Sequence, residues 1–304
     1  MTATNAERFA AALSQTAEAI EKTLDACLPP PVDIPGEGPL IAAMRYAVMG
    51  GGKRLRAFLA VEAGRITGAP RHGTLRAGAA LECLHAYSLV HDDLPAMDDD
   101  DLRRGKPTVH RAWDEATAIL AGDALQTEAF RILANEETHG DALVRARCVL
   151  RLAEASGAAG MVGGQALDLA AEAGHAHQDA AAVKRLQAMK TGALLQASAE
   201  IGALLGQAAR AHLEAISTYA AALGEAFQIA DDLLDVEGDE AEVGKRVGKD
   251  AGAGKATFVD ILGLEGAKAR ARQLADEAAA ALAPFGEDAA LLSAAAYFVV
   301  DRKS

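Results

Sequence analysis

The sequence predicts an all-α protein, on three observations. Apolar residues recur at intervals of three and four along most of the chain, and Ala, Leu, Glu, Gln and Arg dominate those segments. Alternating runs of Val, Ile, Thr and aromatic residues, which would mark half-buried strands, are nearly absent. The chain has 304 residues and a formal net charge of -13; 51% of it is hydrophobic and only 4% aromatic. That is ample apolar material for a large core. No linker rich in proline, glycine or serine divides it, so one domain is expected over residues 1–304.

Taken in order, a helix is predicted over 5–28, where Glu7, Arg8, Glu18 and Glu21 fall at amphipathic spacing and no signal-peptide core is present. The cluster Pro29, Pro30, Pro31, Pro35 and Pro39 separates it from the rest, because proline cannot donate a helical hydrogen bond. Helices at 38–50 and 54–67 end on Gly50 and Gly68, where a left-handed cap is expected. The next, 73–93, runs into Pro95. Periodic segments at 113–137 and 140–158 follow. Segment 178–205, closed by Gly206, contains "AMKTGALLQASAEIGALLG", whose small residues either let neighbours approach closely or leave a channel. Helices at 209–236, 256–283 and 287–302 complete the chain.

Charged residues interrupt every apolar run well short of the ~18 residues a membrane span needs. Cys27, Cys83 and Cys148 are odd in number and form no CxxC pair, which predicts neither a disulfide framework nor a zinc site and fits a reducing cytoplasm. The acidic balance argues against nucleic acid as a partner.

Two acidic clusters carry the chemistry. In "QIADDLLDV", Gln228, Asp231, Asp232 and Asp235 share one helical face, at i, i+3, i+4 and i+7. Like charges spaced this way destabilise a helix, so the stripe awaits a cation. In "HDDLPAMDDDDLRRGKPTVH", Asp92 and Asp98 would diverge on a regular helix. Pro95 predicts that the helix ends or bulges near Leu94 and lets Asp98 turn back toward Asp92. Two oxygen-rich clusters with no His/Cys set beside them favour Mg²⁺, which keeps waters and takes phosphate oxygens from a substrate. Cations stand nearby to hold that phosphate: Arg103 and Arg104 after the first cluster, Lys245, Arg246, Lys249 and Lys255 after the second, Lys53, Arg54 and Arg56 in "GGGKRLR", and Lys190. "GAGKAT" fails the phosphate-loop template, with Lys at 249 and Ala at 256. "GGGKRLR", Gly52 included, instead places backbone N–H groups and a cation at a helix start, a natural anion site.

These motifs, with "CLHAYSLVHDD", "GGQALDL", "KTGALL", "GKD" and "GKATF", resemble in order and spacing the trans-isoprenyl diphosphate synthase family, closest to its bacterial farnesyl-producing branch. The resemblance covers nearly the whole chain. It implies the all-helical terpenoid synthase bundle around a central cavity, a cytoplasmic homodimer, and three Mg²⁺ ions. Asp92 and Asp98 would hold two ions and Asp231 the third, with Asp93, Asp232 and Asp235 ligating or orienting waters. Arg103, Lys190, Lys245 and Lys255 would bind the allylic diphosphate; Lys53, Arg56, His85 and Arg104 would bind isopentenyl diphosphate. Thr191, the Lys190 carbonyl and Gln228 would face the carbocation, and Gln165 and Asp168 would line the same cavity. If the allylic tail runs beside the helix that ends at Asp92, one turn of ~5.4 Å spans about one isoprene unit. Tyr87 and Ser88 then form the floor, and a tyrosine there predicts a fifteen-carbon product, with the twenty-carbon one as alternative. A terpene cyclase would have no use for the second diphosphate site, a calcium-binding helical protein no use for the paired arginines, and a non-catalytic subunit usually lacks one acidic cluster.

Overall fold

The computed structural model describes residues 4–175, 179–237 and 257–301, and these are helical almost throughout. Helix α1 (Asn5–Cys27) starts at a capping box in which Thr4 and Glu7 exchange backbone-to-side-chain bonds of 2.7 and 3.3 Å. It buries Phe9, Leu13, Ile20 and Leu24, the apolar side of its amphipathic pattern. α2 (Glu37–Val48), α3 (Leu55–Ile66) and α4 (Arg71–Asp92) follow. A small antiparallel hairpin, β1 (Leu102–Arg103) and β2 (Lys106–Pro107), turns through Arg104 and Gly105, both at positive φ (53° and 74°) as a two-residue hairpin loop requires. Then come α5 (Val109–Ala112), α6 (Glu115–Ala134), α7 (Ala142–Ser156), α8 (Met161–Glu172) and α9 (Ala180–Gln187). A π-turn, Ala188–Gly192, leads into α10 (Ala193–Leu205), and α11 (Arg210–Glu237) follows. α12 (Phe258–Leu262), α13 (Leu264–Ala281), a 3₁₀ stretch (Ala283–Ala289) and α14 (Ala290–Asp301) end the described chain.

α3, α4 and α10 are buried over most of their surface, so the other helices surround them. One core cluster joins α4 to α6 and α7 through Leu81, Leu84, Leu125, Ile132 and Leu152; another joins α1 and α3 to α11 and α14 through Phe9, Phe58, Tyr219 and Leu292. The small residues of α10 serve close packing. A Cβ on Gly202 would sit 2.2 Å from the Ala60 carbonyl oxygen of α3. The cysteines are buried and unpaired. No helix among the described residues is long and apolar enough to cross a membrane.

Several boundaries differ from expectation for physical reasons. Segment 178–205 is not one regular helix, because the π-turn interrupts it. Segment 256–283 divides at Gly263, whose φ of 69° no continuous helix accepts. Segment 113–137 is shorter, its helix beginning at Glu115 under an Asp114 cap. α8 lies in a stretch for which no helix was predicted. The left-handed positions are Gly51, Gly68 and Gln207 rather than Gly50 and Gly206. Gly206 has a different reason to lack a side chain, since a Cβ would fall 2.2 Å from the Thr67 hydroxyl.

Candidate active site

α4 stops where the sequence says it must. Asp93 caps it, Met97 N–H donates to the Leu94 carbonyl (2.8 Å), and Asp98 N–H donates back to the Asp92 carbonyl (2.9 Å). Asp99, at φ 50°, completes the reversal. The segment after Pro95 thus brings Asp98 beside Asp92. The Asp92 carboxyl is half-buried and accepts a hydrogen bond from the Gln165 amide of α8. Burial pushes its pKa up to about 6, and Asp98 and Asp93 add to this against the pull of Lys190 and Arg103. Asp93 has another task. It is 3% exposed and accepts from Arg103 Nε at 2.8 Å and Nη2 at 2.5 Å, so it aims a guanidinium.

The second stripe divides in the same way. Asp231 and Asp235 are half-buried on α11. Asp232 is buried, and its Oδ2 accepts from Phe258 N–H at 2.7 Å, which ties down the start of α12. Gln228, also buried, donates its amide N–H to Gln187, leaving the amide oxygen as the group that can face a cation. Asp93 and Asp232, expected to ligate or orient waters, here hold Arg103 and the Phe258 N–H.

Lys190 and Thr191 sit on the π-turn, a single-turn irregularity often found at functional sites. Glycines hold it in place. A Cβ on Gly164 of α8 would lie 2.2 Å from Lys190 N, and one on Gly224 of α11 would lie 3.1 Å from the Gly192 Cα. Lys190 Nζ donates to Asp168 Oδ2 at 2.5 Å. The α8 pair, expected to line the cavity, thus contacts two of its other members: Gln165 meets Asp92, and Asp168 meets Lys190.

The "GGGKRLR" stretch forms the loop before α3. The Arg104 guanidinium donates to the Gly51 carbonyl and lies so close to Gly52 (φ 128°) that a Cβ there would meet Nη1 at 2.7 Å. Lys53 is exposed. Arg56 Nε is buried and has no hydrogen-bond partner. Burial lowers the Arg56 pKa, with Glu82 and Asp231 opposing that shift and Arg104 adding to it. His85, half-buried on α4, has its pKa held well below 6.5, first by burial and then by Arg56, Arg104, Arg103 and Arg54. Sequence reasoning counted Arg54 among the phosphate-holding cations and gave Glu82 no role. Arg54 adopts φ 52°, reaches Glu82 at 3.1 Å, Val48 O at 2.6 Å and Glu21, and so fixes the loop that presents Lys53 and Arg56. Arg54 was visible as one member of a basic run; nothing marked its buried counter-ion. Tyr87 is buried with its ring edge-on to His91 at 5.2 Å, and Ser88, four residues before Asp92 on the same face, donates to the His85 carbonyl at 2.8 Å. Lys245, Arg246, Lys249 and Lys255 lie outside the described residues.

These contacts close a ring: Asp92 to Gln165 on α8, the π-turn lysine in electrostatic reach of Asp92, Gln228 of α11 bonded to Gln187 just before the π-turn, Asp231 acting on Arg56 of α3, and Arg56 on His85 of α4. Both acidic stripes belong to that ring. Its carboxylates suit magnesium: Asp92 is a partly buried carboxyl whose pKa is raised first by burial and then by Asp98 and Asp93, and the clustered donors are hard carboxylate oxygens. The unpartnered Arg56 Nε is a matching donor for an anion.

A helical bundle with a paired-carboxylate ring and two groups of cations defines a diphosphate-handling enzyme of the isoprenoid class. The chain belongs to the polyprenyl synthetase family, whose model matches residues 38–290. It is 48% identical over 272 residues to the farnesyl diphosphate synthase of Escherichia coli (strain K12), covering 87% of this chain and 89% of that one. To geranylgeranyl pyrophosphate synthase 11, chloroplastic, of Arabidopsis thaliana it is 40% identical over 280 residues, covering 89% and 77%. The crystal structure of an FPP/GFPP synthase from Zymomonas mobilis, in its apo form, superposes with a TM-score of 0.88 at 46% identity, covering 97% of this chain and 99% of that one.

Proposed function

We propose that the chain, acting as one domain over residues 1–304, condenses isopentenyl diphosphate with dimethylallyl or geranyl diphosphate to give (2E,6E)-farnesyl diphosphate. One observation carries the reading: Lys190 and Arg103 act on the Asp92 carboxyl, while Arg56 and Arg104 act on His85 of the same helix, with Lys53 exposed on the loop that leads to Arg56. One diphosphate needs one such group of cations. Two groups imply two diphosphates, the allylic one at Lys190 and Arg103, joined by Lys245 and Lys255, and the homoallylic one at Gly52, Lys53, Arg56, His85 and Arg104.

Asp92, Asp98, Asp231 and Asp235 would hold magnesium, three ions in this reading, which would supply Lewis-acid neutralisation of the leaving diphosphate. The chain's own groups do the rest. Lys190, oriented by Asp168, and Arg103, aimed by Asp93, face the oxygen that takes the electron pair as the allylic C–O bond breaks. The Thr191 hydroxyl, the Lys190 carbonyl and the Gln228 amide oxygen offer dipoles to the allylic cation without acting as nucleophiles. The homoallylic double bond attacks, a C–C bond forms, and the proton lost in restoring the alkene passes to the released diphosphate. Tyr87 and Ser88 close the tail pocket one turn below Asp92.

The solvent-facing apolar side chains Ile119, Leu120, Leu143 and Leu150 support assembly as a homodimer, and buried, unpaired cysteines fit the reducing cytoplasm. The reading is tested by incubating the purified protein with Mg²⁺, isopentenyl diphosphate and geranyl diphosphate, then sizing the dephosphorylated products by chromatography. A fifteen-carbon alcohol that disappears with EDTA is expected. Absence of any condensation overturns the activity, and a predominant twenty-carbon product overturns the chain length in favour of geranylgeranyl diphosphate.

A further inference from the structure

The loop that carries Lys53 is held from three sides. Arg104 lies against Gly52, Arg54 anchors the loop from beneath, and α14 supplies an aromatic ring: Lys53 Nζ is 5.5 Å from the Phe298 ring centroid. That distance lies within the range over which an ammonium is attracted to a ring face. The ring is fixed in turn. Phe298 packs on Phe9 of α1 with centroids 4.9 Å apart, and Phe9 meets Phe58 of α3 edge-on at 5.2 Å. Three helices distant in sequence thus present one aromatic face to an exposed lysine of the candidate diphosphate site.

We propose that Phe298 is a positioning residue for the homoallylic diphosphate, acting through Lys53. A lysine side chain has a long flexible stem and loses much rotamer freedom when its head is fixed. Attraction to the ring restricts the stem before substrate arrives. The interaction uses the ring quadrupole and takes no proton, so the ammonium keeps its full charge for a phosphate oxygen. Less ordering is then required on binding, and affinity improves without any contact between Phe298 and substrate.

The inference rests on the function proposed above, and the experiment separates the two. Steady-state kinetics are measured with isopentenyl diphosphate varied at saturating geranyl diphosphate, and then the reverse, for the wild type, Phe298→Leu, Phe298→Tyr, Lys53→Met and the double variant Lys53→Met/Phe298→Leu. Phe298→Leu keeps an apolar side chain and removes the quadrupole. It should raise KM for isopentenyl diphosphate about threefold, leaving kcat and KM for geranyl diphosphate unchanged. Phe298→Tyr should restore the wild-type value, and in the Lys53→Met background the leucine should add nothing. If Phe298→Leu melts early, Phe298→Met carries the same test with a side chain closer in volume. A homoallylic KM equal to wild type, an equal rise in both KM values, or an undiminished effect without Lys53 would overturn the inference. A wild type that condenses nothing would instead overturn the function.

Discussion

His85 shows how one residue's surroundings become measurable. Burial and four guanidinium groups, from Arg56, Arg104, Arg103 and Arg54, hold its pKa well below the ordinary 6.5. The unfolded chain therefore takes up this proton at a higher pH than the folded one. Stability rises with pH wherever the unfolded state binds more protons, so the neutral His85 contribution is complete above 6.5 and is lost as pH falls below it. Each pH unit between the unfolded and folded values costs about 1.4 kcal/mol. Urea unfolding of the ligand-free protein should find His85→Gln gaining on wild type by roughly 1 kcal/mol between pH 7.5 and 5.5; a constant difference would mean that His85 titrates normally in the fold. Asp92 presents the opposite sign of charge. As a partly buried carboxyl raised to about 6 by burial and by acidic neighbours, it strains the ligand-free protein while equipping it to hold a cation. Asp92→Asn keeps an acceptor for Gln165 and removes the charge. It should melt no lower than wild type yet lose at least ~100-fold in turnover, as removal of a group that stabilises transition-state charge does. Retained turnover would remove Asp92 from the metal-holding set.

Among the elements, the π-turn at Ala188–Gly192 was the one least visible in the sequence. Its residues continue the helical pattern of 178–205, and what displaces them lies elsewhere: α8 presses Gly164 against Lys190, and α11 brings Gly224 to Gly192. Local periodicity cannot report a contact made by residues distant in the chain. The return of Asp98 to Asp92 was legible for the contrary reason, since Pro95 acts on its own backbone and its immediate neighbours. The glycine contacts make a paired prediction. Gly164→Ala would place a Cβ 2.2 Å from Lys190 N and 2.5 Å from its Cα, both backbone atoms that cannot rotate aside. We expect a loss of about 1–3 kcal/mol, as in other overpacked cores. Displacement of Lys190 and Thr191 should also cost at least ~10-fold in kcat. Gly192→Ala, two residues further along, meets only the Gln187 carbonyl at 3.6 Å in helical backbone, so it should melt at or slightly above wild type. Equal melting of the two variants would contradict the tight seat assigned to the turn.

Across the whole molecule, most of the helices and both acidic clusters could be read directly, because each rests on spacing within one segment. The support behind them could not. Glu82 beneath Arg54, Asp168 beneath Lys190 and the α8 helix itself depend on which helices pack together. Assembly extends the same dependence beyond one chain. Ile119 and Leu120 of α6 are 45% and 54% exposed, an apolar pair on a helix that otherwise packs extensively on α4, the carrier of Asp92 and His85. Adjacent exposed apolar side chains on a supporting helix are what a second copy would cover. In light scattering after gel filtration the wild type should run at twice the mass of one chain. Ile119→Glu/Leu120→Glu should shift it to a single chain, since each charge would otherwise be desolvated at the interface. Loss of the partner would leave α6 less firmly held and, through α4, should lower the activity of the variant. Leu143→Glu/Leu150→Glu, which alters α7 instead, distinguishes the two surfaces: dissociation there with none at α6 would move the interface to α7, and a single-chain wild type would remove it altogether.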